Sequence, residues 1–258
     1  MSEISINDIM DISIKAGALI LENGGETYRA EETCVRVAHS LGAIDAHAFV
    51  TPTVVILSIS DENNVCHTSM RRITTRTVNL TKIALVNDLS RRLVAREKKT
   101  SPQQAERLLD KISQKPEHKP SLLVIMAGFS AFFFALMFGA NFYEGIVGFV
   151  IGAFLRVVLI LLGKFKLNSF ISSVLSGMFI SSLCETALVF GFLQSSVTVM
   201  TAVLMQVVPG MAIVNAIRDL ISGDLMAGTA RLVDAFMVAA GLSVGAAFGI
   251  LVFSNVFS

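Results

Sequence analysis

Arg156 stands in the middle of an apolar window at residues 145–163, and a guanidinium at the centre of a membrane helix costs about 2.5 to 3.5 kcal/mol. A charge held there at that cost faces a partner or an aqueous path. In a second window, 196–217, Pro209-Gly210 interrupts the apolar run. Proline removes an amide donor and collides with the preceding turn, and glycine adds backbone freedom, so a broken helix is expected. Freed carbonyls at membrane depth line cavities, and the positive end of the half-helix after a break attracts a carboxylate. A packed proline kink is the alternative. Asn215, Arg218 and Asp219 follow at helical spacing and extend a polar strip from the break. Arg156, Pro209, Gly210, Asn215 and Arg218 are therefore the candidate substrate-binding residues. Glu185, late in the window 169–190, and Asp219 are the candidates for proton or charge coupling. Arg218 and Asp219 also read as interfacial anchors, and Glu185 as a side chain reaching the outer interface.

Enzyme chemistry has no comparable signal. His39, His47, His67 and His118 form no HExxH, and the sequence has neither GxSxG nor a Gly-rich phosphate loop followed by lysine. Cys34, Cys66 and Cys184 are too far apart for a CxxC or zinc-ribbon pattern and read as buried thiols. No catalytic residue, metal or cofactor is expected. The net charge of +1, without a basic arm, gives no support for nucleic-acid binding.

The elements that must hold these residues are membrane helices. Hydrophobic residues make up 53% of the chain and charged residues only 16%, and only five of the 21 Lys and Arg lie beyond residue 120. From Ser121 to Phe253 the chain is almost continuously apolar. A bilayer core needs roughly 20 apolar residues per helix, and five windows meet that length, at about 121–140, 145–163, 169–190, 196–217 and 232–254. Lys164 and Lys166 follow the second, and Arg218 and Arg231 fall between the fourth and fifth, whereas 141–144 and 191–195 carry no Lys or Arg. The positive-inside rule then places the amino terminus in the cytoplasm and the carboxyl terminus in the periplasm. The first dozen residues carry Glu3, Asp8 and Asp11 and do not read as a cleaved signal peptide. Gly241, Gly245 and Gly249 in the last window, and Ser169, Ser173, Gly177 and Ser181 in the third, recur every four residues as helix-packing stripes.

Residues 1–120 read as a mixed α/β cytoplasmic domain. Ile6, Ile9, Met10, Gly17, Ile20 and Leu21 share one helical face, and Ala30, Cys34, Val37, Ala38 and Leu41 repeat it after Gly24-Gly25, which predicts a helical hairpin. Val54 to Ile59 reads as a strand, Asp61 to Asn64 as a turn, and Val65 to Met70 as a second strand. Helices are expected from about Arg76 to Arg96 and from Ser101 to Lys115. The fold class is thus an α-helical polytopic membrane protein of five spans over 121–258, preceded by this domain.

Three strings, GGETYRAEET at 24–33, TRTVNLTKIALVNDLSRRL at 75–93 and VPGMAIVNAIRDLISGDLMAG at 208–228, resemble the threonine/serine exporter family. The resemblance covers nearly the whole chain. It implies a secondary transporter subunit of the bacterial inner membrane. In the fused members a second membrane half follows, and this chain stops after its fifth window, so a smaller YjjB-like integral membrane subunit is the expected partner. Fused members handle threonine and serine, and the split form is associated with succinate. Export of a small organic acid, succinate foremost, is the leading expectation, and threonine/serine export the alternative. A membrane-anchored enzyme or sensor is a third reading, although five spans exceed what an anchor needs.

Overall fold

A computed structural model describes residues 5–61, 64–95, 101–116, 118–165 and 167–257. Glu3, Glu62, Asn63, Arg96 and Lys166, which enter the expectations above, lie outside the described residues. The chain forms two compact units, one of Met1–Pro116 with Met211–Leu232, the other of Glu117–Gly210 with Val233–Ser258.

The first unit begins with the expected helical hairpin. Helix α1 (Ile6–Glu22) is capped by Ser5, whose hydroxyl accepts from the Asn7 amide, and α2 (Thr27–Leu41) ends at Gly42 in the left-handed region. The two helices approach closely where Gly17 lies against Cys34 and Ala30. Three strands follow, β1 (Asp45–Thr51), β2 (Val54–Ser60) and β3 (Cys66–Arg72), in one antiparallel sheet of order β1-β2-β3. Two of these strands were expected; β1 was not, because Ala46 and Val50 are its only buried side chains and its apolar alternation is weak. In β2 the alternation is complete, with Val55, Leu57 and Ile59 buried against the helices. Helices α3 (Leu80–Ala95) and α4 (Pro102–Ser113) close the core with Ile83, Val86, Leu89 and Leu109. Cys34 is buried as expected, and burial pushes its thiol up to about 12. Cys66 corrects the expectation of three buried thiols: it opens β3, which is an edge strand among the described residues and buries none of its side chains, and it is exposed.

The second unit holds α5 (Pro120–Met137), α6 (Phe142–Gly163), α7 (Ser169–Val189), α8 (Ser196–Leu204) and the greater part of α10 (Leu225–Phe257). Among the described residues four helices are long and apolar enough to cross a membrane: α5, α6, α7 and α10 over Leu225–Ser254. The window 196–217 is the departure from five continuous spans. It forms nine-residue α8 and twelve-residue α9 (Gly210–Ile221), with 205–209 non-helical between them. Pro209 accounts for the interruption, because the residue before proline avoids helical geometry and the ring displaces the preceding turn. At about 1.5 Å per residue, α8 is about 13 Å long, under half of a hydrocarbon core of about 30 Å.

Helix α8 packs against α5, α6 and α7, burying Val199 and Val203. Its approach is fixed by Glu144 in the first turn of α6: one carboxylate oxygen closes a capping box with Asn141, and the other accepts from the Gln194 amide at 2.9 Å. The small-residue stripes meet each other, since a Cβ added to Gly241 would lie 2.9 Å from the Phe170 carbonyl oxygen, and Gly249 abuts Ser181. Phe133, Val150, Phe154 and Leu251 point outward, as a lipid-facing surface requires.

Candidate functional site

The Gly24-Gly25 turn is the structural origin of the first polar cluster. Gly24 adopts φ +87°, which an L side chain rarely does. Gly25 donates its amide to the Ile20 carbonyl at 2.9 Å, ending α1. The turn presents two consecutive carbonyls, and both are used. Asn215 Nδ2 donates to the Gly24 oxygen at 2.9 Å, and Arg231 Nη2 donates to the Gly25 oxygen at 2.8 Å.

Glu26 and Thr27, which start α2, continue the cluster. Arg218 Nη1 lies 2.6 Å from Glu26 Oε1, and Arg29 Nη1 lies 3.1 Å from Oε2, so one carboxylate joins two guanidinium groups. Glu26 is 5% exposed and Arg218 57%; the pair runs from the interior to solvent. Burial pushes the Glu26 carboxyl up, but hydrogen bonds from its own amide and from Arg218, with the charge of Arg29, outweigh it and hold the group below the ordinary value. Asp219 is wholly buried. Its Oδ1 accepts from the Thr27 hydroxyl at 2.8 Å, and its Oδ2 lies 3.0 Å from Arg231 Nε. An anion at the amino-terminal end of α2 also gains from the positive pole of that helix.

Beside this cluster, Glu31 and Asp224 line a cleft of about 390 Å³ with Phe49, Gly223, Leu225 and Met226. Glu31 accepts the Val50 amide at 3.0 Å. Burial raises its carboxyl, and the charges of Asp224 and Asp219 raise it further against the lowering effect of that amide.

Three of the seven sequence candidates, Asn215, Arg218 and Asp219, are thus brought together, each bound to the turn at 24–27. The partners Glu26, Thr27 and Arg231 were missed. The strings at 24–33 and 208–228 carried the signal, but nothing in either alone shows that they meet.

The remaining candidates lie in the membrane unit. Arg156 is half-buried on α6 and has no hydrogen bond or ion pair with any described residue. Pro209 is half-buried in the interruption, and the amide of exposed Gly210 donates to the Val208 carbonyl at 2.8 Å. Glu185 accepts the Ser196 hydroxyl at 2.6 Å, tying α7 to the start of α8. Gln206, also in the interruption, was not anticipated; its terminal nitrogen is buried with no hydrogen-bond partner among the described residues. Among those residues no group of three or more His, Cys, Asp and Glu could hold a metal ion.

Residues 11–253 match the family described as "Putative threonine/serine exporter". The chain is 23% identical over 248 residues to a probable threonine/serine exporter of Mycobacterium tuberculosis, covering 95% of this chain and 46% of the relative. It is 22% identical over 243 residues to a probable succinate transporter subunit, YjjP, of Klebsiella aerogenes, covering 91% of this chain and 90% of the relative. It is 22% identical over 251 residues to the threonine/serine exporter of Corynebacterium glutamicum, covering 94% of this chain and 50% of the relative. The chain therefore spans about half the length of the two exporters and nine tenths of the succinate transporter subunit. No solved structure matches it.

Proposed function

The chain belongs to the threonine/serine exporter family, a family of membrane transporters, and on that premise we propose that it is a subunit of a secondary transporter exporting a small organic acid, succinate foremost. It works in the bacterial inner membrane with a smaller membrane partner. The observation that carries this reading is the coverage: relatives named as succinate transporter subunits are matched over 90% of their length. The word subunit in those names supports a partner. Threonine or serine export is the second reading, favoured by the names of the relatives from M. tuberculosis and C. glutamicum.

The chemistry fits a carboxylate cargo. Arg156 supplies a guanidinium within an apolar helix, and Pro209, which has no amide hydrogen, denies the Met205 carbonyl the donor that a continuous helix would offer. In the proposed topology the interrupted window 196–217 is a fifth, broken crossing. Residues 1–120 lie in the cytoplasm and the carboxyl terminus in the periplasm. Arg218 receives the anion on the cytoplasmic side. Glu185, beside Ser196, is the coupling carboxylate.

Reconstitution in proteoliposomes, with and without the smaller partner, tests this. Succinate efflux is expected only when both chains are present, and Arg156→Gln should lower succinate efflux more than threonine efflux. Equal efflux of both compounds by the variant and the parent removes the role of Arg156. Efflux of threonine or serine without succinate selects the second reading, and efflux indifferent to collapse of the proton gradient removes coupling through Glu185.

A further inference from the structure

We infer that Gln206 is a carboxylate-binding residue of the membrane unit, acting with Arg156 on the neighbouring helix. Three observations carry this. The Gln206 Nε2 atom is buried and finds no acceptor among the described residues. A buried donor without an acceptor destabilises a fold, and proteins rarely retain one without a use. Secondly, the surrounding packing makes room for it: a Cβ added to Gly152 of α6 would lie 2.5 Å from Nε2 and 2.6 Å from the Ala131 methyl. Only glycine at 152 leaves the amide its position. Thirdly, Gln206 belongs to the interruption, not to α8 or α9, so its backbone is outside a regular helix.

Its depth follows from counting. Gln206 is ten residues after Ser196, where α8 begins, and Gly152 is ten residues after Phe142, where α6 begins. These two helix starts lie at the same end of the unit, because the Gln194 amide donates to Glu144 at 2.9 Å. Ten helical residues at about 1.5 Å each place Gly152 near 15 Å, about half-way through a hydrocarbon core of about 30 Å, and the Gln206 amide lies against it at the same depth. Arg156 is one turn beyond Gly152 on the same face of α6, about 6 Å along the axis. An amide donor and a guanidinium, both without acceptors among the described residues, complement an anion with two oxygens. A carboxylate is the group that matches both.

The occupant is the transported acid, and to that extent the inference rests on the proposed function. The test separates the two. Binding of radiolabelled succinate and of radiolabelled threonine is measured on the full-length chain with its partner in lipid nanodiscs, together with the unfolding temperature. Gln206→Leu should weaken binding of whichever acid the parent binds by about tenfold or more, the value of a hydrogen bond to a charged group. Its unfolding temperature should stay the same or rise, because an unmatched donor has been removed. Gly152→Ala should weaken binding in the same direction by displacing the amide. Affinity within twofold of the parent for Gln206→Leu overturns the assignment.

If the parent binds neither acid, the proposed cargo falls, and a second measurement decides Gln206. With exposed Cys66 replaced by serine, Gln206→Cys is treated with a small anionic thiol reagent. Reaction that is slowed by acetate retains the carboxylate site; no reaction, or reaction indifferent to acetate, overturns it. The same labelling decides the matter if Gln206→Leu fails to fold.

Discussion

The Thr27 hydroxyl donates a 2.8 Å hydrogen bond to Asp219 across 192 positions of sequence, and both groups are buried. This contact joins two of the three strings that distinguish the sequence. Asp219 also balances Arg231 at 3.0 Å, so its replacement leaves a largely buried guanidinium without its ion-pair partner. Removing one partner of such a pair costs about 3 to 5 kcal/mol. Asp219→Asn should therefore lower unfolding stability by that order, and Thr27→Val by about 1.5 to 3 kcal/mol, as expected for a hydrogen bond to a charged group. The double variant should lose less than the sum, because both act on one carboxylate. Urea titrations followed by circular dichroism measure all three; strict additivity means the two groups do not interact.

Glu26 gives a pH dependence of known sign. Its folded carboxyl sits below the ordinary value, with Arg218 and Arg29 favouring the charged form. The stabilisation is present above the unfolded value near 4.3 and disappears as pH falls through the lower, folded value. Glu26→Gln should reduce stability at pH 7 and flatten the acid limb of the unfolding curve. Arg218→Gln should move that limb to higher pH. An acid limb unchanged in both variants contradicts the pairing.

Glu31 has the opposite sign. Burial and the charges of Asp224 and Asp219 raise its folded value, so the folded chain holds this proton more tightly than the unfolded chain does. Stability linked to Glu31 is present below the unfolded carboxylate value and lost as pH rises through the folded one. Glu31→Gln should therefore raise the unfolding temperature at pH 7 and have little effect at pH 4. A variant less stable than the parent at pH 7 shows that the Val50 amide bond at 3.0 Å outweighs the repulsion.

Sequence periodicity made the hairpin of α1 and α2, strand β2 and four apolar helices legible, because each buries one continuous face or is apolar throughout. Strand β1 escaped notice because burial of Ala46 and Val50 alone leaves no strong alternation. The interruption in 196–217 was readable from Pro209, whose chemistry is local. The partners of Arg218 and Asp219 were not readable. Glu26 and Thr27 look like an ordinary helix start, and their pairing with residues so far along the chain is a product of folding. Gln206 escaped for a related reason: one amide in an apolar run carries no pattern, and only the space above Gly152 gives it meaning.

The packing of α10 on α7 separates two kinds of glycine. A Cβ on Gly245 would come within 2.8 Å of the Val174 carbonyl carbon and 2.9 Å of the Met178 amide nitrogen. Those are backbone atoms of α7, which cannot turn aside as a side chain can. Gly163, at the end of α6, has nothing within 4 Å of the same added atom and no positive φ. Overpacking costs about 1 to 3 kcal/mol when side chains can adjust, and backbone contact places Gly245→Ala at or above the top of that range. Gly163→Ala should be neutral, or slightly stabilising through the better helix propensity of alanine. The unfolding temperatures of the two purified variants decide the matter. A Gly245→Ala chain as stable as Gly163→Ala would mean that α7 and α10 do not touch along this stripe, and that the four-residue repeat of small residues serves another neighbour.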